Sequence, residues 1–252
     1  MHVHPPKPLH GWRAFLGEVG IVVLGVIIAL GAEQLVEGWH WNEKVKSAEE
    51  VMRLELAEDN GPQAYGRLII ARCLSGELTR IYDGAGQAPV TTLRQWARAY
   101  RPPYRTWDSE AWKTVLGSDV GSHMGSQRLI KWSSPYRIII GMTEANRVER
   151  GLAVDLGETL PPSGDPTAAD LQRLRLTVAQ LQSLNSQMSR SSELLLARSR
   201  ALGASVPEAL QRDLLRQAQA IYGSCARIPD MNATPMAARL DGNLRQPDPQ
   251  AN

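Results

Sequence analysis

The histidines are the side chains of this sequence most suited to metal binding, but their spacing does not form a metal site. His2, His4 and His10 lie close to the N-terminus, separated by prolines and without a cysteine or carboxylate beside them, whereas His40 and His123 are isolated. The sequence also contains no nucleophile elbow, phosphate-binding glycine loop or His-x-x-Glu-His motif. We therefore expect no metal, no cofactor and no catalytic site, and hence a protein that is not an enzyme.

The cysteines are the other candidates for chemistry, because Cys73 and Cys225 are the only two in the chain. Each lies on an expected helix. In an oxidising compartment they could form one disulfide that joins the first soluble helix to the last. The alternative is a pair of buried free thiols, which are common core residues.

An apolar segment near the N-terminus predicts a transmembrane helix over residues 14–38. It contains an uncharged run from Val19 to Ala32, and tryptophans flank it: Trp12 on one side, Trp39 and Trp41 on the other. A spanning helix needs about 20 apolar residues, and tryptophans are typical of both membrane interfaces. The segment therefore predicts a lipid bilayer as one of the partners of the chain.

A cleaved signal peptide is the alternative interpretation of the same segment. Lys7 and Arg13 could form its basic region, and Ala29-Leu30-Gly31 could form its cleavage site. Against this, Glu18 interrupts the apolar region and the apolar character continues through Val36. We favour the anchor.

One side of the predicted transmembrane helix carries small residues and two carboxylates. At 100° per residue and with Gly25 at 0°, Glu18 lies at about 20°, Ala29 at 40°, Ala32 at −20° and Glu33 at 80°. Small residues allow close helix approach in lipid, and an ionisable residue in a membrane segment indicates a functional site. We interpret this side as a docking face for another transmembrane helix. The alternative is two interfacial acids with incidental small residues.

The sequence also predicts a membrane topology. Residues 1–13 are expected to form a cytoplasmic tail, residues 39–227 a periplasmic helical domain with a linker near 159–166, and residues 228–252 an extended or disordered tail. This arrangement places a single-pass protein in the bacterial inner membrane, although the charge bias across the helix barely decides its orientation. The net charge of +2 gives no reason to expect nucleic acid binding.

Propensities and breakers predict an all-α chain, in which the anchor continues as a helix to Asp59 and ends at Asn60-Gly61-Pro62. Asp108, Asp165 and a Ser205/Glu208 capping box are predicted to begin later helices. Further helices are predicted at about residues 63–82, 92–100, 127–155, 167–202 and 205–227, with a turn at 117–125.

The helix predicted over residues 167–202 carries a heptad seam. Its apolar face is wider than a two-helix seam requires, which favours a bundle helix over an intermolecular coiled coil. The seam comprises Leu171, Leu174, Val178, Leu181, Asn185, Met188, Ser192, Leu195, Ser199 and Leu202.

A rigid connection after the third predicted helix concentrates residue types that dominate protein interfaces: Arg101, Tyr104, Arg105 and Trp107. These residues are candidates for an interface loop. The alternative, which the sequence slightly favours, is a loop folded onto its own bundle.

Two patches of the chain carry a set of recurring motifs: Phe15, Leu16, Gly17-Glu18-Val19, Val22-Val23, Gly25-x-x-Ile28-Ala29-Leu30, Trp41-Asn42-Glu43, Leu54-Glu55-Leu56 and Asn60 in the first, and Ser109-x-Ala111-Trp112 and Tyr136 in the second. These motifs resemble a bacterial family of single-pass inner-membrane proteins of unknown function. The resemblance covers about a quarter of the chain, and the rearranged turn from Gly117 to Gly121 departs from it. It implies a membrane anchor and a helical extracytoplasmic domain, but no activity.

The expected function is that of a non-enzymatic accessory subunit. Its transmembrane helix would dock into an integral membrane protein complex while the bundle covers the periplasmic face. The alternative is a periplasmic ligand-binding or sensory bundle, which would need an apolar pocket between the helices with convergent Arg or Tyr groups.

Overall fold

A computed structural model describes residues 11–229, and every regular element in that range is helical, which confirms the all-α prediction. The first long helix is followed by a π-helical segment and then by the bundle. The elements are α1 (Trp12–Leu54), the π-helical segment (Glu55–Asn60), α2 (Gly61–Gly84), α3 (Val90–Ala99), α4 (Glu110–Leu116), α5 (Asp119–His123), α6 (Ser126–Glu158), α7 (Ala168–Ala201) and α8 (Glu208–Tyr222).

The apolar segment forms the first part of α1 and projects away from the bundle. Among the described residues it provides the one helix long and apolar enough to cross a membrane, with a mean hydropathy of 2.4 over 18 residues. None of that window is buried, whereas the core helix of a soluble protein would be mostly buried. Length and composition identify this helix, and a signal sequence near the N-terminus would satisfy the same criteria.

The predicted helix end at Asn60-Gly61-Pro62 is wrong, because helical structure continues without a loop from α1 through the π-helical segment into α2. Gly61 donates its N–H to the carbonyl of Leu56, five residues back. A Cβ at Gly61 would lie 2.7 Å from that same oxygen, so glycine is required for this close approach. Pro62 falls in the first turn of α2, and because proline has no N–H, one backbone hydrogen bond is missing at this junction.

The largest helix–helix packing in the bundle is that of α7 against α2 and α6. The heptad seam faces this core, with eight of its residues buried and Leu171 and Leu202 partly buried. The predicted bundle helix is therefore confirmed. Helix α8 packs against α2, α3 against α6 and α2, and α4 and α5 against α1 beyond the apolar segment.

Helix boundaries show where the capping predictions were wrong. Helix α7 begins after Thr167, which forms a capping box with Asp170, two residues beyond the predicted Asp165 cap. The Thr167 hydroxyl accepts the N–H of Asp170, and the Asp170 carboxylate accepts the N–H of Thr167. The helix begins after Thr167 because both cap hydrogen bonds can form there. Helix α8 has no side-chain cap and begins after Pro207.

Three further boundaries differ from the prediction. Ser109, one residue after the predicted Asp108, occupies the first position before α4 without a side-chain cap bond, whereas Asp108 Oδ1 accepts the N–H of Glu110 at 3.1 Å, as predicted for a capping residue. The turn predicted over residues 117–125 contains the short helix α5. Helix α8 ends at Tyr222 and not near residue 227, because Gly223 adopts a positive φ of 67° and a 3-10 turn to Cys225 follows.

Candidate functional site

The predicted docking face lies open along the apolar part of α1. Glu18, Gly25, Ala29, Ala32 and Glu33 are all exposed. A Cβ placed at Gly25 would meet nothing within 4 Å, so the described part of the chain leaves a free approach to this face. The arrangement provides a surface and no chemistry of its own.

The predicted interface loop is divided between solvent and the bundle. Arg101 is exposed, and Tyr104 is 64% exposed beneath the guanidinium of Arg150, 4.4 Å from its ring centre. Arg105 instead points inward to Gly66, and Trp107 packs against the core. The structure therefore brings together neither all four side chains nor one continuous surface.

A buried ion pair lies at the centre of the bundle. Arg67 on α2 donates to both carboxylate oxygens of Glu149 on α6, at 2.8 and 2.6 Å, and both side chains are 0% exposed. Arg67 also donates to Asn185 Oδ1 on α7 at 2.8 Å. The amide of Asn185 in turn donates to the carbonyl of Ala71 at 3.0 Å and to Ser75 Oγ at 3.3 Å. The network therefore ties three helices to one another.

Arg105 and Tyr100 lie close enough to this network for the charges of Arg67 and Glu149 to shift their pKa values. Burial, together with the charge of Arg67, lowers the pKa of Arg105 to about 10. Burial raises the pKa of Tyr100, and the carboxylate of Glu149 raises it further. Arg105 remains the charged species at neutral pH, and Gln63 is its side-chain acceptor at 3.4 Å.

Arg67 and Glu149 are functional candidates that were not predicted from the sequence. One indication was available: Asn185 interrupts an apolar seam, and a polar side chain buried in a seam needs partners on the facing helices. A second indication is the spacing of Ala145, Glu149 and Ala153, which places the glutamate on the buried face of α6.

The π-helical segment organises a second polar cluster. Glu55 Oε2 accepts the N–H of Ala111 at 2.9 Å. Asn60 bridges the backbone of Asp108, donating to its carbonyl and accepting from its N–H, both at 2.9 Å. These bonds hold the entry to α4 against the π-helical segment. They join residues that are about 50 positions apart in the sequence, Glu55 to Ala111 and Asn60 to Asp108.

Two buried aromatic side chains pack beside this cluster. Trp112 on α4 stacks on Tyr136 on α6, with ring centres 5.4 Å apart and planes inclined by 9°. Burial raises the pKa of Glu55, while the Ala111 N–H and the Tyr136 hydroxyl act in the opposite direction. Burial and the charge of Glu55 raise the pKa of Tyr136. Glu55 is thus a buried carboxylate that titrates above the ordinary range.

Outside this cluster, two adjoining grooves carry an acidic rim. One, of about 480 Å³, has an apolar floor that includes Val51 and Leu54. The other, of about 400 Å³, lies beside Trp107. The rim carboxylates are Glu58, Asp59, Asp108 and Glu110. Within residues 11–229, no group of three or more His, Cys, Asp or Glu side chains is placed to hold a metal ion, and His2, His4 and His10 lie outside the described residues.

No family model, curated protein or solved structure matches this chain.

The two cysteines form a disulfide that joins α2 to the turn after α8. Their Cα atoms lie 5.5 Å apart, within the usual range. The backbone N–H of Arg227 also donates to the carbonyl of Ile69 at 3.2 Å. The end of the described chain is thus held against α2 by one covalent link and one hydrogen bond.

In both buried polar clusters the polar groups form hydrogen bonds within the protein and so stabilise the fold. Arg67, Glu149 and Asn185 bind one another, and Glu55 and Asn60 bind backbone groups. Neither cluster places a nucleophile beside a general base. Residues 15–40 of α1 are exposed on every side, so the small-residue side around Gly25 remains a candidate surface for contact with another helix.

Proposed function

We propose that this chain is a non-enzymatic accessory subunit of a larger bacterial inner-membrane complex. Its anchor docks against a transmembrane helix of an integral membrane partner, and its bundle covers the periplasmic face of the assembly. The observation that carries the proposal is the open small-residue face around Gly25 on an apolar helix that nothing in the described chain covers.

The connection between anchor and bundle supports this role. Because α1, the π-helical segment and α2 form one uninterrupted helix, no flexible linker separates the membrane segment from the core of the bundle. A partner that fixes the anchor would therefore also fix the position of the bundle. A brace requires this mechanical continuity, whereas a freely tethered domain would not show it.

The disulfide supports the proposed orientation. Disulfides persist in the periplasm and are rare in the reducing cytosol. Since Cys73 and Cys225 both belong to the bundle, their bond is compatible with a periplasmic domain and a cytoplasmic N-terminal tail.

The alternative, a ligand-binding or sensory bundle, receives less support. That function calls for Arg or Tyr groups converging on a pocket between the helices. The structure does bring Arg67 and Tyr100 into the interior, but Glu149 and Asn185 engage the guanidinium of Arg67. The convergent charge is therefore satisfied by the protein itself.

Crosslinking and pull-down from native membranes test the proposal. We expect one integral membrane protein to be recovered with the wild-type chain, and Gly25→Leu to reduce its yield because leucine prevents close helix approach. Glu18→Gln tests the carboxylate on the same face.

The matched control is Gly20→Leu, which makes the same substitution at about −140° on the helical wheel, on the opposite side of the anchor. Gly20 is also exposed, with nothing within 4 Å of its Cβ position. Recovery of a lone monomer in mild detergent, with Gly25→Leu and Glu18→Gln both silent, would contradict the proposal.

A further inference from the structure

The two adjoining grooves lie along the π-helical segment. The first, of about 480 Å³, lies between α1 and α4. The second, of about 400 Å³, is lined in part by Trp107 on the loop before α4. Glu58, Asp59 and Glu110 line both grooves, so the two form one surface. Because π-helical turns are rare and are frequent at functional sites, this surface is a candidate for binding.

The floor of the first groove is apolar and belongs to two helices. Val51 and Leu54 on α1 are 54% and 47% exposed. Ala111 and Val115 on α4 form the other side. A channel between two helices is a shape into which a third helix can lay its apolar face. Since Val51 and Leu54 remain in contact with water, covering them would be favourable.

The rim of the grooves carries one sign of charge. Among the described residues that line the two grooves, five are carboxylates and none is lysine or arginine, although the chain has 28 basic and 26 acidic residues. Glu110 pairs with Lys113 at 2.6 Å. In contrast, no ion pair within residues 11–229 includes Glu58 or Asp59. These two carboxylates are therefore available to a cation from another molecule.

A buried carboxylate also lines the first groove. Glu55 is 8% exposed, and its Oε2 accepts the N–H of Ala111 at 2.9 Å. Its Oε1 is buried and has no hydrogen-bond partner among the described residues. The Tyr136 hydroxyl donates to the carbonyl of Met52, at 3.4 Å. One oxygen of Glu55 therefore keeps its full capacity to accept a hydrogen bond.

The carboxylates of this surface repel one another. Burial is the largest cause of the raised pKa of Glu55, and the charges of Asp108 and Asp59 act in the same direction. A cationic side chain placed among these groups would reduce the repulsion. Its hydrogen bonds to them would be charge-assisted, and therefore stronger than those between neutral groups.

We propose that the two grooves bind a basic amphipathic helix of another protein. The apolar side chains on one face of that helix lie on Val51 and Leu54, and arginines beside this face bind Glu58 and Asp59. A guanidinium matches a carboxylate through two parallel hydrogen bonds. An anionic lipid headgroup or an acidic segment would be repelled by the same rim. The inference goes beyond the proposed function, because none of these residues belongs to the docking face around Gly25.

Fluorescence anisotropy with a labelled model peptide tests the proposal. The full chain is held in nanodiscs of choline phospholipid. The probe is a peptide of about 15 residues with leucines at helical spacing and arginines on both sides of the leucine stripe. Two comparison peptides carry serine in place of leucine, or glutamate in place of arginine. We expect only the probe to bind saturably, above its binding to empty nanodiscs. Equal binding of the three peptides, or no binding of the probe above that level, would overturn the proposal.

A double variant tests the two carboxylates of the rim. Glu58→Gln/Asp59→Asn should weaken binding of the probe about three- to tenfold, because exposed ion pairs each contribute modestly. The matched control is Asp155→Asn/Glu158→Gln, which removes two exposed carboxylates from α6. If the rim double variant binds the probe as tightly as the wild type does, the proposal is wrong.

A single variant tests the apolar floor. Val51→Ser should weaken binding of the probe about fivefold, because less apolar surface is covered. Val154→Ser is the matched control, since Val154 on α6 is 61% exposed. Both valines are exposed, so both variants should fold, and circular dichroism verifies this. An equal loss of binding in the two variants would show that the peptide does not use the groove, and would overturn the proposal.

Discussion

Arg67 and Glu149 form a bidentate ion pair between α2 and α6, and neither side chain is exposed to solvent. Removing one partner from a buried pair leaves an uncompensated charge, which costs about 3–5 kcal/mol. We therefore predict that Glu149→Gln lowers the free energy of unfolding by about that amount. Urea denaturation of the full chain in detergent, followed by circular dichroism, measures it.

The control for this prediction is Glu144→Gln on the same helix. Glu144 also pairs with an arginine, Arg147, but both side chains are exposed. We expect this variant to unfold like the wild type. The double variant Arg67→Met/Glu149→Leu should recover most of the stability, because it removes both charges together. Equal effects of Glu149→Gln and Glu144→Gln would contradict the assigned burial.

Gly61 is predicted to be indispensable to the π-helical segment. A Cβ at this position would lie 2.7 Å from the backbone oxygen of Leu56 and 2.7 Å from Val206 Cγ2, so the main chain would have to move. Gly61→Ala should lower the free energy of unfolding by about 1–3 kcal/mol. Gly76→Ala is the matched control within α2.

Gly76 is exposed, and its Cβ position has nothing within 4 Å. Alanine should therefore stabilise the helix at this position by about 0.5–1 kcal/mol. Both substitutions replace glycine by alanine, yet the free energy of unfolding should fall for Gly61→Ala and rise for Gly76→Ala in the same denaturation experiment. A stabilising Gly61→Ala would show that the close approach to Leu56 is not present in solution.

The outcome at Gly61 also shows how far the sequence predicts this fold. Helix content, the buried face of α7 and the apolar anchor follow from periodicity and hydropathy, which are local properties. Asn60-Gly61-Pro62 fits both a helix end and a π-helical segment, because glycine allows unusual backbone geometry and proline removes a backbone hydrogen bond in either case. The choice depends on Val206, on Asp108 and on α4, which are far away in the sequence.

The candidate sites show the same limit. The open face around Gly25 follows from helical geometry alone, so it could be located from the sequence. The pairing of Arg67 with Glu149 could not, since it requires the relative placement of α2 and α6. Arg105 and Trp107 lie on one short loop with Tyr104, and their burial depends on which side of that loop the bundle occupies.

The Cys73–Cys225 disulfide is predicted to contribute about 5 kcal/mol through the loop-closure entropy of the unfolded chain, because the two residues are 152 positions apart. Reduction should therefore lower the midpoint of thermal unfolding. The double variant Cys73→Ser/Cys225→Ser should show the same lowered midpoint with and without reductant. A midpoint that reductant shifts equally in wild type and double variant would contradict an effect of this bond.

Glu55 is predicted to make stability depend on pH. Burial raises its pKa in the folded state above the unfolded value, so the folded state binds this proton more tightly. The contribution is most favourable below the unfolded pKa and is lost as the pH rises through the raised pKa. Glu55→Gln removes this titration while keeping an oxygen that can accept the N–H of Ala111.

The free energy of unfolding, measured from pH 4 to 8, isolates this effect as the difference between Glu55→Gln and the wild type. The variant should gain stability relative to the wild type as the pH rises, and the difference should level off above the raised pKa of Glu55. Glu58→Gln is the control, because Glu58 is an exposed carboxylate in the same π-helical segment. If the difference between Glu55→Gln and the wild type is constant over this range, Glu55 has the same pKa in both states and its burial beneath α4 is wrong.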